Sequence, residues 1–305
     1  MPKLSIETSE KEKPIALVAG NSNPLIKFLL DRLSQEFKIA FVSSSNIETG
    51  QNSTDNSNDF YRINPDSAYL VKNLEEKIDY AVIFLEEEQN RRYLPHLFEK
   101  LIEDHTKTII IVDVSRVEEF YDVILEYKKS ANFYFLLLGD IYGEHEPSTF
   151  NSEISKSIDQ AIKEHRLILT GNDLSPIFPI YYQDALTGIS QIMLGPAKGQ
   201  KFYYLFYSHP QTYISLIHVL SRVEPDLEIQ YAQKEGEENV RQSREQIEEL
   251  FKAKILVTPS YLDKYFLGFE KSIQNFQNYK PDPFKESVPV EVKQQKKITK
   301  KIIKD

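Results

Sequence analysis

The sequence predicts an α/β fold with a doubly wound parallel sheet, and three observations support this prediction. Residues 15–33 combine a short apolar strand, a tight turn at Gly20 and a helix with apolar residues at helical spacing. Residues 78–85 and 108–114 are near-continuous apolar runs, which are typical of parallel strands buried on both faces. Strand and helix patterns alternate along residues 15–138 at lengths that suit β-α-β crossovers. Together these patterns indicate a Rossmann-like sheet.

The first half of the chain reads as six strands with helices between most of them. After the first strand, Asn21, Ser22 and Asn23 suit a turn or helix cap, and Pro24 suits the first helical position. The predicted strands cover 15–18, 38–43, 60–63, 78–85, 108–114 and 133–138, and the predicted helices cover 25–33, 65–77, 93–105 and 117–129. Residues 43–59 are rich in Ser, Asn, Asp and Thr, which predicts a loop.

The second half has shorter and less regular elements, which predict a smaller C-terminal α/β subdomain. Its predicted helices cover 153–165, 183–194, 212–223, 237–253 and 261–277. Its predicted strands cover 167–169, 180–182, 201–207 and 227–232, with a loop over 171–179. We therefore divide the chain into a disordered lead (1–13), a Rossmann-like domain (14–150) to which parts of 180–210 return, a mixed subdomain (151–278) and a basic tail (279–305).

Composition excludes several classes of function. A formal net charge of −9 argues against nucleic acid as a partner, because phosphate binding needs a basic face. The chain has no cysteine, so disulfides, thiolate metal sites and cysteine nucleophiles are excluded. The N-terminal residues are polar, and no apolar run reaches the length of about 18 residues that spans a membrane. We expect a cytoplasmic protein.

The C-terminal tail is the one strongly basic stretch. Six lysines lie between Lys293 and Lys304. One interpretation is a solvated tail, and the other is contact with an anionic membrane surface at the inner face of the membrane, since lysine clusters bind such surfaces.

Several short stretches with recognisable residue patterns follow one another along residues 14–278. They are 18–20 (Val-Ala-Gly), 63–66 (Ile-Asn-Pro-Asp), 78–83, 138–143 (Leu-Gly-Asp-Ile-Tyr-Gly), 171–184 ending in Gln-Asp before Ala185, and 267–273. In order and spacing they resemble landmarks of the NAD-dependent epimerase/dehydratase family of extended short-chain dehydrogenases/reductases. The stretch 138–143 is the most specific match, because it resembles the run that opens the family's substrate subdomain.

The resemblance implies a cofactor, a substrate class and an assembly. The cofactor would be NAD or NADP, held by Gly20, Asn21, Ser22, Asn23, Pro24, Ser43, Ser44, Asp66 and Leu85. The substrate would be a nucleotide or nucleotide sugar in a cleft containing Asp140, Tyr142, Gly143 and Asp184. The resemblance also implies a homodimer through the helix over 117–129, and it implies no metal.

The residues that carry the family's chemistry are changed in this chain. The family uses a Tyr-x-x-x-Lys pair on one helix face, where the ammonium lowers the pKa of the tyrosine. None of the 18 tyrosines here is followed by lysine at that spacing. Tyr121 lies in the corresponding helix with Leu125 at the lysine position, so Ser115 and Tyr121 are the remaining catalytic candidates.

The cofactor turn is changed as well. Only Gly20 remains of the family's three glycines, and Asn23 and Ile26 take the other two places. The second strand ends in serine where an acid would bind the adenine ribose, and Glu86 follows the strand that should wall the cofactor. The acidic run that Glu86 begins could also be read as a cation site, but a solvated loop is the simpler interpretation.

Three functional hypotheses follow. The first is a catalytically degenerate member of the family, a pseudoenzyme that acts as a binding or scaffolding module. The second is a divergent NAD(P)-dependent epimerase, dehydratase or reductase of nucleotide sugars. The third is a sensor that binds a dinucleotide without turnover.

Overall fold

The computed structural model describes residues 13–20, 23–43, 60–63, 77–86, 93–143, 150, 152–170, 174–196, 199–209, 211–232 and 243–278. Its strands, in chain order, are β1 Ile15–Ala19, β2 Lys38–Val42, β3 Phe60–Ile63, β4 Tyr80–Leu85, β5 Lys107–Asp113, β6 Phe133–Leu138, β7 Asp140–Tyr142, β8 Arg166–Thr170, β9 Pro176–Ile177, β10 Pro179–Tyr181, β11 Phe202–Leu205, β12 Gln211–Thr212, β13 Glu228–Ala232 and β14 Ser260–Tyr261. Its α-helices are α1 Leu25–Leu33, α2 Leu94–Glu103, α3 Tyr121–Tyr127, α4 Glu153–Glu164, α5 Tyr182–Leu194, α6 Tyr213–Val223, α7 Arg244–Leu250 and α8 Phe269–Asn278.

The centre of the fold is one parallel sheet of eight strands, in the order β14-β11-β6-β5-β4-β1-β2-β3. All residues of β6, and every residue of β4 after Tyr80, are buried. Successive strand residues point to opposite faces, so burial of every residue means that both faces of the sheet are covered. The prediction of a Rossmann-like α/β fold is confirmed.

Helix packing explains this burial. On one side, Phe98 of α2 packs edge-on against Tyr127 of α3 with ring centroids 4.5 Å apart, and both rings contact Phe133 of β6. Elsewhere, α5 packs against α1 and β5, and Lys107 at the start of β5 donates to the Gly195 carbonyl just after α5, over 2.5 Å.

The second half of the chain adds both to the main sheet and beside it. β11 and β14 extend the main sheet beyond β6, while β7 pairs with β10, β8 with β13, and β9 with β12 in three small sheets. Strand β9 lies within the stretch that was predicted to be a loop. The division of the chain into domains stays a prediction.

Three helix predictions are wrong in part. The predicted helix over 117–129 starts as a 3₁₀ helix, Val114–Phe120, because Asp113 caps it directly at the end of β5. The helix predicted over 237–253 is described only from α7 onward, and it ends in a π-helical turn, Phe251–Ile255. The helix predicted over 261–277 begins only at Phe269, because β14, a 3₁₀ turn and Gly268 at φ +92° precede it.

Some predictions fall on parts of the chain that the structure does not describe. They are the helix over 65–77 apart from its last residue, nearly all of the polar loop over 43–59, most of the lead (1–13) and the whole of the tail (279–305).

Gly139, between β6 and β7, provides a direct test of this packing. A Cβ at Gly139 would lie 2.1 Å from the Phe178 carbonyl oxygen. We expect Gly139→Ala to lower the free energy of unfolding by about 1–3 kcal/mol through overpacking. Gly199→Ala is the matched control, because a Cβ there meets nothing within 4 Å. Its effect should stay within about 0.5 kcal/mol. Equal effects of the two variants in urea titrations would contradict the placement of Gly139.

Candidate cofactor and substrate site

The start of α1 lies at the carboxyl edge of the sheet, where open α/β folds bind ligands. The Asn23 N–H donates to Glu86 Oε1 over 2.8 Å, and the Leu25 N–H donates to Asn23 Oδ1 over 3.0 Å. The Ile26 N–H donates to the Asn23 carbonyl over 3.0 Å, and Pro24 has no N–H. Every backbone donor from residue 23 to residue 26 is therefore bonded within the chain or absent.

Gly20 forms the turn between β1 and α1 under close packing. Its φ is +155°, and its N–H donates to the Val42 carbonyl over 3.1 Å. A Cβ here would lie 2.6 Å from Ile26 Cδ1 and 3.1 Å from Phe84 Cβ. Ile26 is fully buried, so the residue at the third glycine position fills the space above this turn.

The structure describes five of the nine predicted cofactor residues. Gly20, Asn23 and Pro24 line the turn before α1, while Ser43 and Leu85 are buried at the ends of β2 and β4. The other predicted members lie outside the described residues, and they are Asn21, Ser22, Ser44 and Asp66.

Ser115 belongs to a capping turn. Asp113 Oδ1 accepts from the Ser115 N–H over 2.8 Å and from its hydroxyl over 2.6 Å. The serine is exposed, and both of its donors are directed back to the end of β5. This geometry starts the 3₁₀ helix that follows.

Tyr121 lies at the start of α3 and is only 8% exposed. Lys254 Nζ lies 4.9 Å from the centre of its ring, and its hydroxyl has no hydrogen-bond partner within the described residues. Burial and, secondarily, Glu118 raise the pKa of Tyr121 to about 12. Leu125, one turn further along, is 37% exposed and has no charge to oppose this shift.

Asp184, at the start of α5, is the centre of a buried polar network, and only 4% of it is exposed. Its carboxylate accepts from the Tyr207 hydroxyl over 2.8 Å, from the Leu267 N–H over 2.8 Å and from the Gly268 N–H over 3.3 Å. No cation contacts it within the described part of the chain. Three donors from two segments therefore hold one buried charge.

The network continues to α8 through Tyr142, which is fully buried on β7. The Tyr142 hydroxyl is hydrogen-bonded to Ser272 Oγ, and Ser272 donates to the Phe269 carbonyl over 2.7 Å. Tyr142 therefore donates to Ser272, while Tyr207 donates to Asp184. The two tyrosine oxygens lie 3.4 Å apart, and neither hydroxyl has a further proton to share between them.

Burial also dominates the acid–base behaviour of this network. It raises the pKa of Asp184 even though three hydrogen bonds oppose the shift. It raises the pKa of Tyr142 and of Tyr207, both of which also feel the Asp184 charge.

The other two predicted cleft residues make packing contacts. Asp140 Oδ2 accepts from the Phe178 N–H over 3.1 Å, and the Asp140 N–H donates to the Phe178 carbonyl over 2.6 Å. A Cβ on Gly143 would lie 2.5 Å from Tyr182 Cδ1. Tyr182 in turn packs against Phe28 of α1, with ring centroids 4.9 Å apart. The predicted cleft residues thus divide between a buried network and the contact of β7 with its neighbours.

Sequence reasoning missed three residues that the structure makes important. Glu86 was interpreted as part of a solvated loop, yet it accepts from the Asn23 N–H. Tyr207 and Ser272 were not proposed as site residues, yet they complete the network around Asp184. The aromatic strand predicted over 201–207 ends at Tyr207 and was a signal for this residue, but the sequence contains no comparable signal for Ser272.

Among the residues that the structure describes, no group of three or more His, Cys, Asp or Glu could hold a metal ion. None of the described helices is long and apolar enough to cross a bilayer. Membrane contact through Lys293–Lys304, the inner-face location and the homodimer stay predictions.

The fold is that of the NAD-dependent epimerases and dehydratases. The chain is 15% identical to dTDP-glucose 4,6-dehydratase from Bacillus anthracis, solved in complex with NAD, with a TM-score of 0.58 over 87% of this chain and 96% of that one. It is 14% identical to UDP-glucose 4-epimerase from Thermotoga maritima, solved with UDP-glucose, with a TM-score of 0.60 over 87% of this chain and 98% of that one.

A third solved structure, L-threonine dehydrogenase from Phytophthora infestans, is 10% identical, with a TM-score of 0.64 over 86% of this chain and 97% of that one. No protein-family profile matches the sequence, and a search of curated proteins found no match. At these sequence identities the comparisons show a similarity of fold alone.

The raised pKa of Asp184 gives a pH-dependent prediction. The folded state binds the proton of the Asp184 carboxyl more tightly than the unfolded chain does. The pKa of Asp in an unfolded chain is about 3.9. The contribution of Asp184 to stability is therefore complete below that pH and is lost as pH rises through the folded pKa. Asp184→Asn cannot titrate. Its loss of unfolding free energy, measured by urea titration, should be larger near pH 4.5 than near pH 7.5.

The control is Asp31→Asn, because Asp31 is an exposed acid on α1. In each titration this variant should lie within about 0.5 kcal/mol of the wild-type chain, because the substituted side chain is exposed. A loss in Asp184→Asn that grows toward neutral pH would contradict the prediction.

Proposed function

We propose that this chain is a catalytically degenerate protein with the epimerase/dehydratase fold, a pseudoenzyme that serves as a binding or scaffolding module. The observation that carries the proposal is the start of α1. Its backbone donors at Asn23, Leu25 and Ile26 are all bonded within the chain, and one of them is bonded to the Glu86 carboxylate.

A dinucleotide in a Rossmann-like fold needs these donors. The pyrophosphate accepts from free N–H groups at the helix start and gains from the positive end of the helix dipole. Here the Glu86 carboxylate already lies beside Asn23, so a phosphate in this position would lose a donor and meet a like charge. The residues described at this turn therefore do not fit a pyrophosphate.

The candidate catalytic residues support the same conclusion. A general acid or base works best when its pKa lies near the pH of the reaction. Burial moves the pKa of Tyr121 to about 12, away from neutrality. Ser115 donates to Asp113, and Leu125 cannot lower a tyrosine pKa. These residues supply no acid, base or ribose-binding pair for hydride transfer.

A second candidate function is favoured by the similar structures, one of which contains NAD and another UDP-glucose. It is a divergent NAD(P)-dependent enzyme of nucleotide sugars, and a sensor that binds NAD or NADP without turnover is its variant. Both require cofactor binding at the carboxyl edge of the sheet, which separates them experimentally from the scaffold proposal.

Titration calorimetry with NAD⁺, NADH, NADP⁺ and NADPH tests the proposal. We expect no saturable heat at millimolar cofactor and no shift in thermal unfolding. A cofactor at one hundred times its Kd would stabilise the fold by about 2.7 kcal/mol, which thermal scans detect easily. Saturable micromolar binding would overturn the scaffold proposal. Turnover of a nucleotide sugar would then favour the enzyme, and its absence the sensor.

Glu86→Ala tests whether Glu86 stabilises the start of α1. Removing this acceptor leaves the Asn23 N–H without its partner, and capping losses of this kind cost about 0.5–2 kcal/mol. Glu36→Ala is the control, because Glu36 is an exposed acid just after the same helix. Both are measured by urea unfolding, and equal stability of the two variants would remove the argument from Glu86.

A further inference from the structure

The turn before α8 binds a carboxylate from another part of the chain. The consecutive N–H groups of Leu267 and Gly268 both point to Asp184, which lies 83 and 84 residues away in sequence. Successive N–H groups that converge in this way form an anion-binding nest. Gly268 has φ +92°, and a Cβ there would meet nothing within 4 Å. This position therefore needs glycine because of its backbone conformation, and not because a side chain would lack space.

Two further buried residues of helix α8, Phe269 and Ser272, contact the same network. Ser272 is bonded to Tyr142, and the Phe269 ring packs edge-on against Tyr142 with centroids 5.9 Å apart and lies 6.2 Å from the Tyr207 ring. On the outer side, an exposed ion pair joins Glu270 to Arg222 over 3.0 Å. The helix therefore packs on α6 and β10 and contributes no strand to the main sheet.

Asp184 and α8 depend on each other because the carboxylate is buried. Without the Leu267 and Gly268 donors, a buried charge would retain only the Tyr207 hydroxyl as a donor, and uncompensated buried charge is strongly destabilising. Without the carboxylate, the two N–H groups before α8 would lose their acceptor.

We propose that Asp184 is a clasp that docks α8, Phe269–Asn278, as a separately releasable helix. The clasp consists of the Asp184 carboxylate and the nest of Leu267 and Gly268. Its release opens α8 while the eight-stranded sheet stays folded. The proposal does not depend on whether the chain binds a cofactor.

Hydrogen–deuterium exchange with mass spectrometry on the full chain tests the clasp. Asp184→Asn should increase exchange across residues 266–278 by about tenfold or more, while peptides from β1, β5 and β6 keep wild-type protection. The control is Glu270→Ala, which removes only the exposed ion pair of the same helix and should leave the exchange of α8 within about twofold.

Gly268→Ala provides a second variant if Asp184→Asn fails to fold. It keeps the carboxylate and strains only the nest, because an L-residue is unfavourable at positive φ. Gly199→Ala is its control. Selective exposure of α8 in Gly268→Ala supports the clasp. Unchanged exchange of α8 in a folded variant, or equal loss of protection in β5 and β6, would overturn it.

Discussion

The parallel direction of all eight strands is the constraint on which the rest of the structure depends. A parallel sheet buries both faces, so each strand must be followed by a crossover that covers one of them. It also places the carboxyl ends of all the strands at one edge of the sheet. Glu86, just after β4, contacts Asn23, at the start of α1, because β1 pairs directly with β4 and Ala19 lies opposite Ile83. The contact that closes the α1 turn is therefore set by strand order.

Most of the sheet could be predicted because its strands are short apolar runs bounded by polar residues. The run over 133–138 was predicted with the bounds that the structure has, since β6 is buried at every position. The interruptions before α3 and α8 could not be predicted. They arise from Asp113 capping at a strand end and from Gly268 binding a distant carboxylate, and neither changes the apolar spacing that predicts a helix.

The candidate site shows a different limit. Gly20 could be predicted as the turn residue, because the change from strand to helix pattern requires a tight turn there. The chemical types of Tyr142 and Asp184 were equally visible, but burial decides whether such groups line a cleft or form an internal network. Burial depends on neighbours far away in sequence, such as Ser272, which lies 130 residues from Tyr142. A single sequence does not contain that information.

The shortness of β14 affects how the folded protein behaves at high concentration. This strand closes one side of the main sheet, and it is only two residues long. An edge strand offers unpaired backbone groups to other chains, and long, flat edges promote aggregation. With so little backbone to offer, this side of the sheet is a poor template for the addition of a strand from another molecule. The four-residue strand β11 is paired with β14 only at Tyr203 and Tyr204. A deletion of residues 260–261 would therefore expose a new, strongly apolar edge.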